Sequence, residues 1–131
     1  MRIFQWYKNK TSGSKSDLPS EWNIPESEED INQVFKVDSG LQFIYKHSYR
    51  CAVCTFSKSR VEQNITENSR KAIFHFVDVI QNRAVSDYIA KLSGIRHQSP
   101  QLLVIEGGKV LHHASHGDIT ADLIEDALPA N

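Results

Sequence analysis

Excess charge is the first thing missing. Fifteen basic residues face sixteen acidic ones in 131, a formal net charge of −1, and that balance gives no reason to expect a nucleic-acid or acidic-lipid partner. No run approaches the roughly 18 apolar residues of a membrane span. The opening MRIFQWYKNK has a basic residue but no apolar stretch of signal-peptide length. Cysteine is scarce, with two residues in the chain, which excludes a disulfide scaffold. No internal repeat is visible. What remains is the length of one domain, 40% hydrophobic and so able to bury a core without staples. The expectation is a soluble protein of a reducing, cytoplasmic compartment.

The two cysteines, Cys51 and Cys54, sit where the pattern changes. Leu41 to Tyr45 is an apolar, β-branched and aromatic run of strand length. From Cys51 onward the spacing becomes helical, with Val53, Phe56 and Val61 expected on or near one inward stripe. Cys51 would then lie among the first residues of a helix, where free N–H groups and the dipole favour an anion. Cys54, three residues on, is its neighbour on the helix surface. An ordinary thiol with a pKa near 8.5 is only about 3% thiolate at pH 7. Lowering that pKa by about two units takes roughly 2.7 kcal/mol, of which a helix N-terminus supplies up to about 2 kcal/mol. Lys46, His47 or Arg50 are the nearby charges that would add the rest. The gain in attack is only a few-fold, and the larger benefit is a better leaving group for reversible exchange. The spacing points to thiol chemistry. A structural disulfide, half a zinc site and two inert buried thiols stay open beside it.

The rest of the chain supplies a frame. Residues 1–20 hold Ile3, Phe4, Trp6 and Tyr7, then a polar Ser/Gly stretch, and read as a flexible N-terminal tail before a domain over 21–131. Trp22 and Ile24 resume the apolar pattern. Ser27 with Glu28, Glu29 and Asp30 is a helix cap and an acidic first turn, followed by Ile31, Val34 and Phe35. Lys71 to Val79 is mostly apolar, as a buried parallel strand would be. Asn82 to Leu92 is helical in period, with Gly94 as its stop. Gln101 to Glu106 and Lys109 to Ser115 are strands joined by Gly107-Gly108, a two-residue hairpin signal. Asp118 or Thr120 caps a last helix carrying Ile119, Leu123, Ile124 and Leu128. A parallel βαβ unit, an antiparallel pair and a closing helix make an α/β three-layer sandwich with a mixed sheet, which is the thioredoxin-like order.

Three stretches carry a more specific likeness: YKHSYRC (Tyr45 to Cys51), HQSPQLLVIEGGKVLHHASH (His97 to His116) and DIT (Asp118 to Thr120). In these the chain resembles the bacillithiol-system monothiol bacilliredoxins (the YtxJ family), over roughly Trp22 to Leu128. The resemblance implies a thioredoxin-like fold and removal of bacillithiol from mixed disulfides on proteins. By position it makes Cys51 the attacking residue. The chain departs from the family at Cys54, where the pattern has serine or another non-cysteine residue, and the second thiol adds a dithiol route. The resemblance to thioredoxin-like proteins also implies a cis bond at Ser99–Pro100, beside the active cysteine. Proline offers no N–H there, and the peptide groups of Ser99 would pair with a substrate strand.

Other candidates rest on chemistry alone. His47, four residues before Cys51, would lower the thiol pKa as a cation or move a proton as a neutral base, and Arg50 is a candidate substrate contact. Asp78 ends a buried strand as a cap or a proton relay. His112, His113 and His116 with the cysteine pair offer zinc ligands, but their separation is far longer than a zinc finger's and His112 and His113 alternate across a strand. No cofactor or metal is called for. The expectation is therefore a thiol–disulfide oxidoreductase, with Cys51 and Cys54 catalytic and Ser99, Pro100, Arg50 and His47 binding substrate. Its partners would be protein mixed disulfides and a low-molecular-weight thiol such as bacillithiol. The competing class is a thioredoxin-like binding module, or a zinc protein using the cysteine pair.

Overall fold

The computed structural model describes residues 21–68 and 70–129. The tail expected over 1–20 lies outside them. Strand β1 (Trp22–Asn23) leads to helix α1 (Glu28–Val34), β2 (Gln42–His47), α2 (Ala52–Asn68) and β3 (Ile73–Asp78). Helix α3 (Arg83–Ser93), strands β4 (Gln101–Glu106) and β5 (Lys109–Ser115), a 3₁₀ turn (His116–Asp118) and α4 (Ala121–Ala127) complete the chain. The sheet order is β1-β3-β2-β4-β5. Strands β1, β3 and β2 run parallel, and β4 and β5 are antiparallel to their neighbours. This is the mixed α/β sandwich expected from the chain order. Strand β1 was not expected: two residues are too few to show any period.

The local signals act as the sequence suggests. Ser27 Oγ accepts from Asp30 N at 3.1 Å, and the Asp30 carboxylate accepts from Glu26 N at 2.9 Å, so both ends of the first turn are satisfied. Gly94 closes α3 in the left-handed region. Gly107 and Gly108 both have positive φ, the twist a tight hairpin needs. Thr120, not Asp118, caps α4 by accepting from Leu123 N. Among the described residues, no helix is long and apolar enough to cross a membrane.

Side chains alternate across the central strand. Phe43 and Tyr45 join Phe74, Phe76, Leu102 and Val104 on the face covered by α2 and α4. Ile44, Val77, Leu103 and Ile105 meet α1 and α3 on the other. The inward stripe of α2 corrects the sequence expectation. It runs Cys54, Ser57, Val61, Ile65, all fully buried, whereas Val53 is 46% and Phe56 67% exposed. At about 100° per residue, Val61 and Ile65 fall within roughly 20° of Cys54, while Val53 lies about 100° away and Phe56 about 160°. A helix has one inward stripe, and here it passes through the second cysteine.

Candidate functional site: the cysteine pair at the start of α2

Strand β2 ends at His47, and the turn Ser48-Tyr49-Arg50 hands the chain to α2. Cys51 stands immediately before the first helical residue, its N–H donating to Ser48 O at 3.2 Å. Its sulfur therefore faces the unpaired N–H groups of the first turn. Both thiols are free. Cys51 is held below the usual thiol range, first by the Cys54 N–H and then by the Cys54 thiol; desolvation opposes them, and the Val53 N–H adds a lesser contribution. Cys54 is pushed the other way, up to about 11, chiefly by burial and further by its hydrogen bond to Cys51 and that residue's charge; only a backbone hydrogen bond from Ser48 opposes this. One sulfur is partly exposed and acidic, and its neighbour is a buried S–H that donates to it.

The floor of the site is aromatic, and of its rings only His47 was singled out from sequence as a site residue. Tyr45 Oη donates to Cys54 O at 3.0 Å and lies 3.1 Å from His47 Nδ1. Trp22 stacks on Tyr45 at a centroid distance of 6.0 Å, and its Nε1 donates to Glu62 at 3.0 Å. Glu62 in turn pairs with Lys58 at 2.9 Å. The ring of Tyr49 meets His47 edge-on at 4.4 Å, and Phe76 packs on His47 at 5.4 Å. The strand period alone would have put Tyr45 and His47 on one face, but it does not say that this face lies under the cysteines.

His47 is neither a solvated loop histidine nor a cation. It is buried at the end of β2, and burial, aided by the charge of Lys58 and opposed by Asp78 and Glu62, lowers its pKa to about 4. At neutral pH it is uncharged. Lys46 points to the opposite face, so neither residue supplies the charge expected to acidify Cys51. Hydrogen bonds of the helix start do that work. Arg50 is exposed beside Cys51, with its N–H on Ser48 Oγ at 3.3 Å. Asp78 is a turn cap, its Oδ1 accepting from Ile80 N and Gln81 N at 3.0 Å each. The Ser99–Pro100 bond is cis. Pro100 is buried, and its carbonyl accepts from His116 N at 3.1 Å. His112, His113 and His116 are exposed on and after β5, and among the described residues no group of three or more His, Cys, Asp or Glu side chains is placed to hold a metal ion.

Comparison with known proteins agrees with this geometry. A family model described as "Monothiol bacilliredoxin BrxC" matches residues 24–124. A solved structure provisionally described as an oxidoreductase with a thioredoxin fold is 28% identical, with a TM-score of 0.70, over 79% of this chain and 90% of that one. Thioredoxin from Malassezia sympodialis is 22% identical, TM-score 0.63, covering 79% and 84% of the two chains. Mitochondrial thioredoxin 3 from Saccharomyces cerevisiae, at 13% identity and a TM-score of 0.65, covers 83% and 94% and shows the fold alone.

Proposed function

The chain belongs to the monothiol bacilliredoxin family, and from that premise we propose that it strips a low-molecular-weight thiol such as bacillithiol from mixed disulfides on proteins. The observation that carries the reading is the asymmetry of the pair: a half-buried, acidified Cys51 beside a fully buried Cys54 with its pKa pushed up to about 11. The Cys51 thiolate attacks the small thiol's sulfur in protein–S–S–R. A Cys51–S–S–R bond forms, and the protein leaves as a thiolate that takes a proton from water.

Two routes finish the cycle. A second molecule of the small thiol can attack the adduct, which needs Cys51 alone. The presence of Cys54 favours an internal route, in which its thiolate attacks Cys51 Sγ, expels RS⁻ and leaves a Cys51–Cys54 disulfide for an external dithiol to reduce. The first step prepares the second. Once Cys51 is in a mixed disulfide it carries no charge and no longer accepts a hydrogen bond as a thiolate, and both of those interactions raise the Cys54 pKa. Burial alone then opposes ionisation, so the resolving thiol is activated only after the substrate is engaged. Arg50, exposed next to Cys51, would meet an anionic group of the substrate, and the Ser99 peptide would hold its backbone. His47 would act through Tyr45 rather than by direct contact.

The test is a single turnover on a bacillithiol-modified protein, followed by mass spectrometry. Cys51→Ser should abolish transfer entirely. Cys54→Ser should transfer the small thiol and stop as a stable adduct on residue 51, while the native chain ends two hydrogens lighter with free small thiol released. Transfer by Cys51→Ser but not by Cys54→Ser would reverse the assignment, and a persistent Cys51 adduct in the native chain would refute the internal route.

A further inference from the structure

Lys46 is fully buried, on the sheet face away from the cysteines. An amine in such a place is held by what it touches, and here every hydrogen-bonding contact is to an uncharged group. Nζ donates to Ser86 O at 3.0 Å and lies 3.2 Å from His97 Nδ1. The Ser86 hydroxyl reaches the same imidazole nitrogen at 3.1 Å. His97 is held below its usual pKa by burial and by the charges of Lys46 and Arg83, against Asp87, so at neutral pH its Nδ1 is free to accept from the ammonium. Three elements thus meet at one ring: β2 through Lys46, the first turn of α3 through Ser86, and the segment that leads into β4 through His97.

That segment is the one ending in Ser99–Pro100. Between Ser93 and Gln101 it has no regular secondary structure, so its place is set by individual bonds. One is the Lys46–His97 contact. A second comes from Gln101, the cross-strand partner of Lys46 in β2–β4, whose Nε2 donates to Arg96 O at 2.8 Å. A single cross-strand pair therefore pins the segment at two consecutive residues, Arg96 and His97, from the same face. The third is at the far end, where His116 N donates to Pro100 O. Gln98 and Ser99 lie between these pins.

We infer that Lys46 is a positioning residue for substrate binding: through His97 it fixes the Ser99–Pro100 backbone from the sheet face opposite the cysteines. This rests on the proposed function to the extent that Ser99–Pro100 holds the substrate. The Lys46 side chain bonds to Ser86 and His97 and not to the cysteine site, so it sets how well the substrate is held and leaves the reactivity of Cys51 alone.

Two readouts separate this inference from the functional reading. Lys46→Met keeps the length and apolar bulk of the side chain and removes the donor. Backbone 15N relaxation, which needs no substrate, should show the Gln98 and Ser99 order parameters falling from about 0.85 to below about 0.6, with Val53 and Cys54 unchanged. With a bacillithiol-modified protein as substrate, KM should rise about tenfold while kcat and the rate of Cys51 alkylation by iodoacetamide stay within twofold. His97→Phe, which removes the same contact from the other side, should give the same split, and the double variant should be no worse than either single. Unchanged order parameters at Gln98 and Ser99 in both variants overturn the inference, as does a fall in Cys51 alkylation equal to any change in KM. If the native chain does not act on the mixed disulfide, the functional reading fails, and the relaxation result still decides whether Lys46 positions the segment.

Discussion

Tyr45 and Lys46 are adjacent on β2, and each buries its polar end fully, yet the two faces they serve are built differently. Under the cysteines, Tyr45, His47 and Cys54 are all neutral at pH 7, and each has a hydrogen-bond partner on the same face. The charges on that side lie toward its rim, in the Glu62–Lys58 pair and in the one that develops on Cys51. On the far face an ammonium sits among uncharged acceptors, and His75 is buried with its Nε2 2.6 Å from Gln42 Oε1. The reactive face thus keeps its interior uncharged, so a buried thiol stays protonated until its partner changes state. The opposite face carries a buried charge at neutral pH, where no bond is made or broken.

The comparison is broken most severely by acid, because each face holds one buried neutral histidine. Burial lowers His47 to about 4 and His75 to about 3 from the ordinary 6.5. The unfolded chain then takes up protons that the folded chain refuses as pH falls below 6.5. Stability is whole above that value and is lost progressively down to pH 3. The loss amounts to several kcal/mol, since each tenfold difference in proton affinity between the two states is worth about 1.4 kcal/mol. Urea unfolding at pH 7 and pH 4 measures this. His75→Gln should remove about half of the acid loss, and an unchanged acid loss would show that His75 is not its source.

Lys46→Met sharpens the contrast from the other side. Burial lowers this amine from 10.5 to about 8, partly offset by Asp87, so at pH 7 the fold bears the cost of a desolvated charge. Replacing it should stabilise the domain by about 2 kcal/mol, as when other buried charges give way to apolar side chains. The unfolded chain holds the proton between pH 8 and 10.5 when the folded one does not, so native stability gains through that window. The advantage of the variant should shrink there. Paired urea titrations at pH 7 and 10 test it, and a constant gap would contradict the assignment.

Tyr45→Phe has the smallest expected effect. It leaves the Cys54 carbonyl and the His47 ring each short of one partner, a loss of about 1–2 kcal/mol. Cys51 alkylation should hold, while resolution by Cys54 slows. A fall in the Cys51 rate equal to that in resolution would mean that the two sulfurs are not supported separately.

Much of this architecture is legible in the residues alone. The strand order follows from apolar runs, the hairpin from Gly107-Gly108, and the placement of Cys51 from the change of period after Tyr45. The register of α2 is not, because its buried stripe contains Ser57 and Asn68 while Val53 and Phe56 stay exposed, and counting apolar residues selects the wrong ones. The acidification of Cys51 was expected partly from side-chain charge. The N–H groups of Cys54 and Val53 supply the part expected from the helix start, and the Cys54 thiol, not a charged side chain, supplies the other. Lys46 and His97 are 51 positions apart, and nothing local couples them.

The hairpin tip has a kinetic consequence. A Cβ on Gly108 would come within 2.7 Å of Phe35 O, so the tip sits almost against the end of α1, 73 positions earlier in the chain. Closing so long a loop is entropically slow to be rewarded, whereas β4 and β5 meet across two residues. The tip-to-helix contact is therefore expected to form after the rate-limiting step. Weakening it should steepen the loss of the native state in time, visible in the unfolding arm of a chevron, and leave the folding arm where it was.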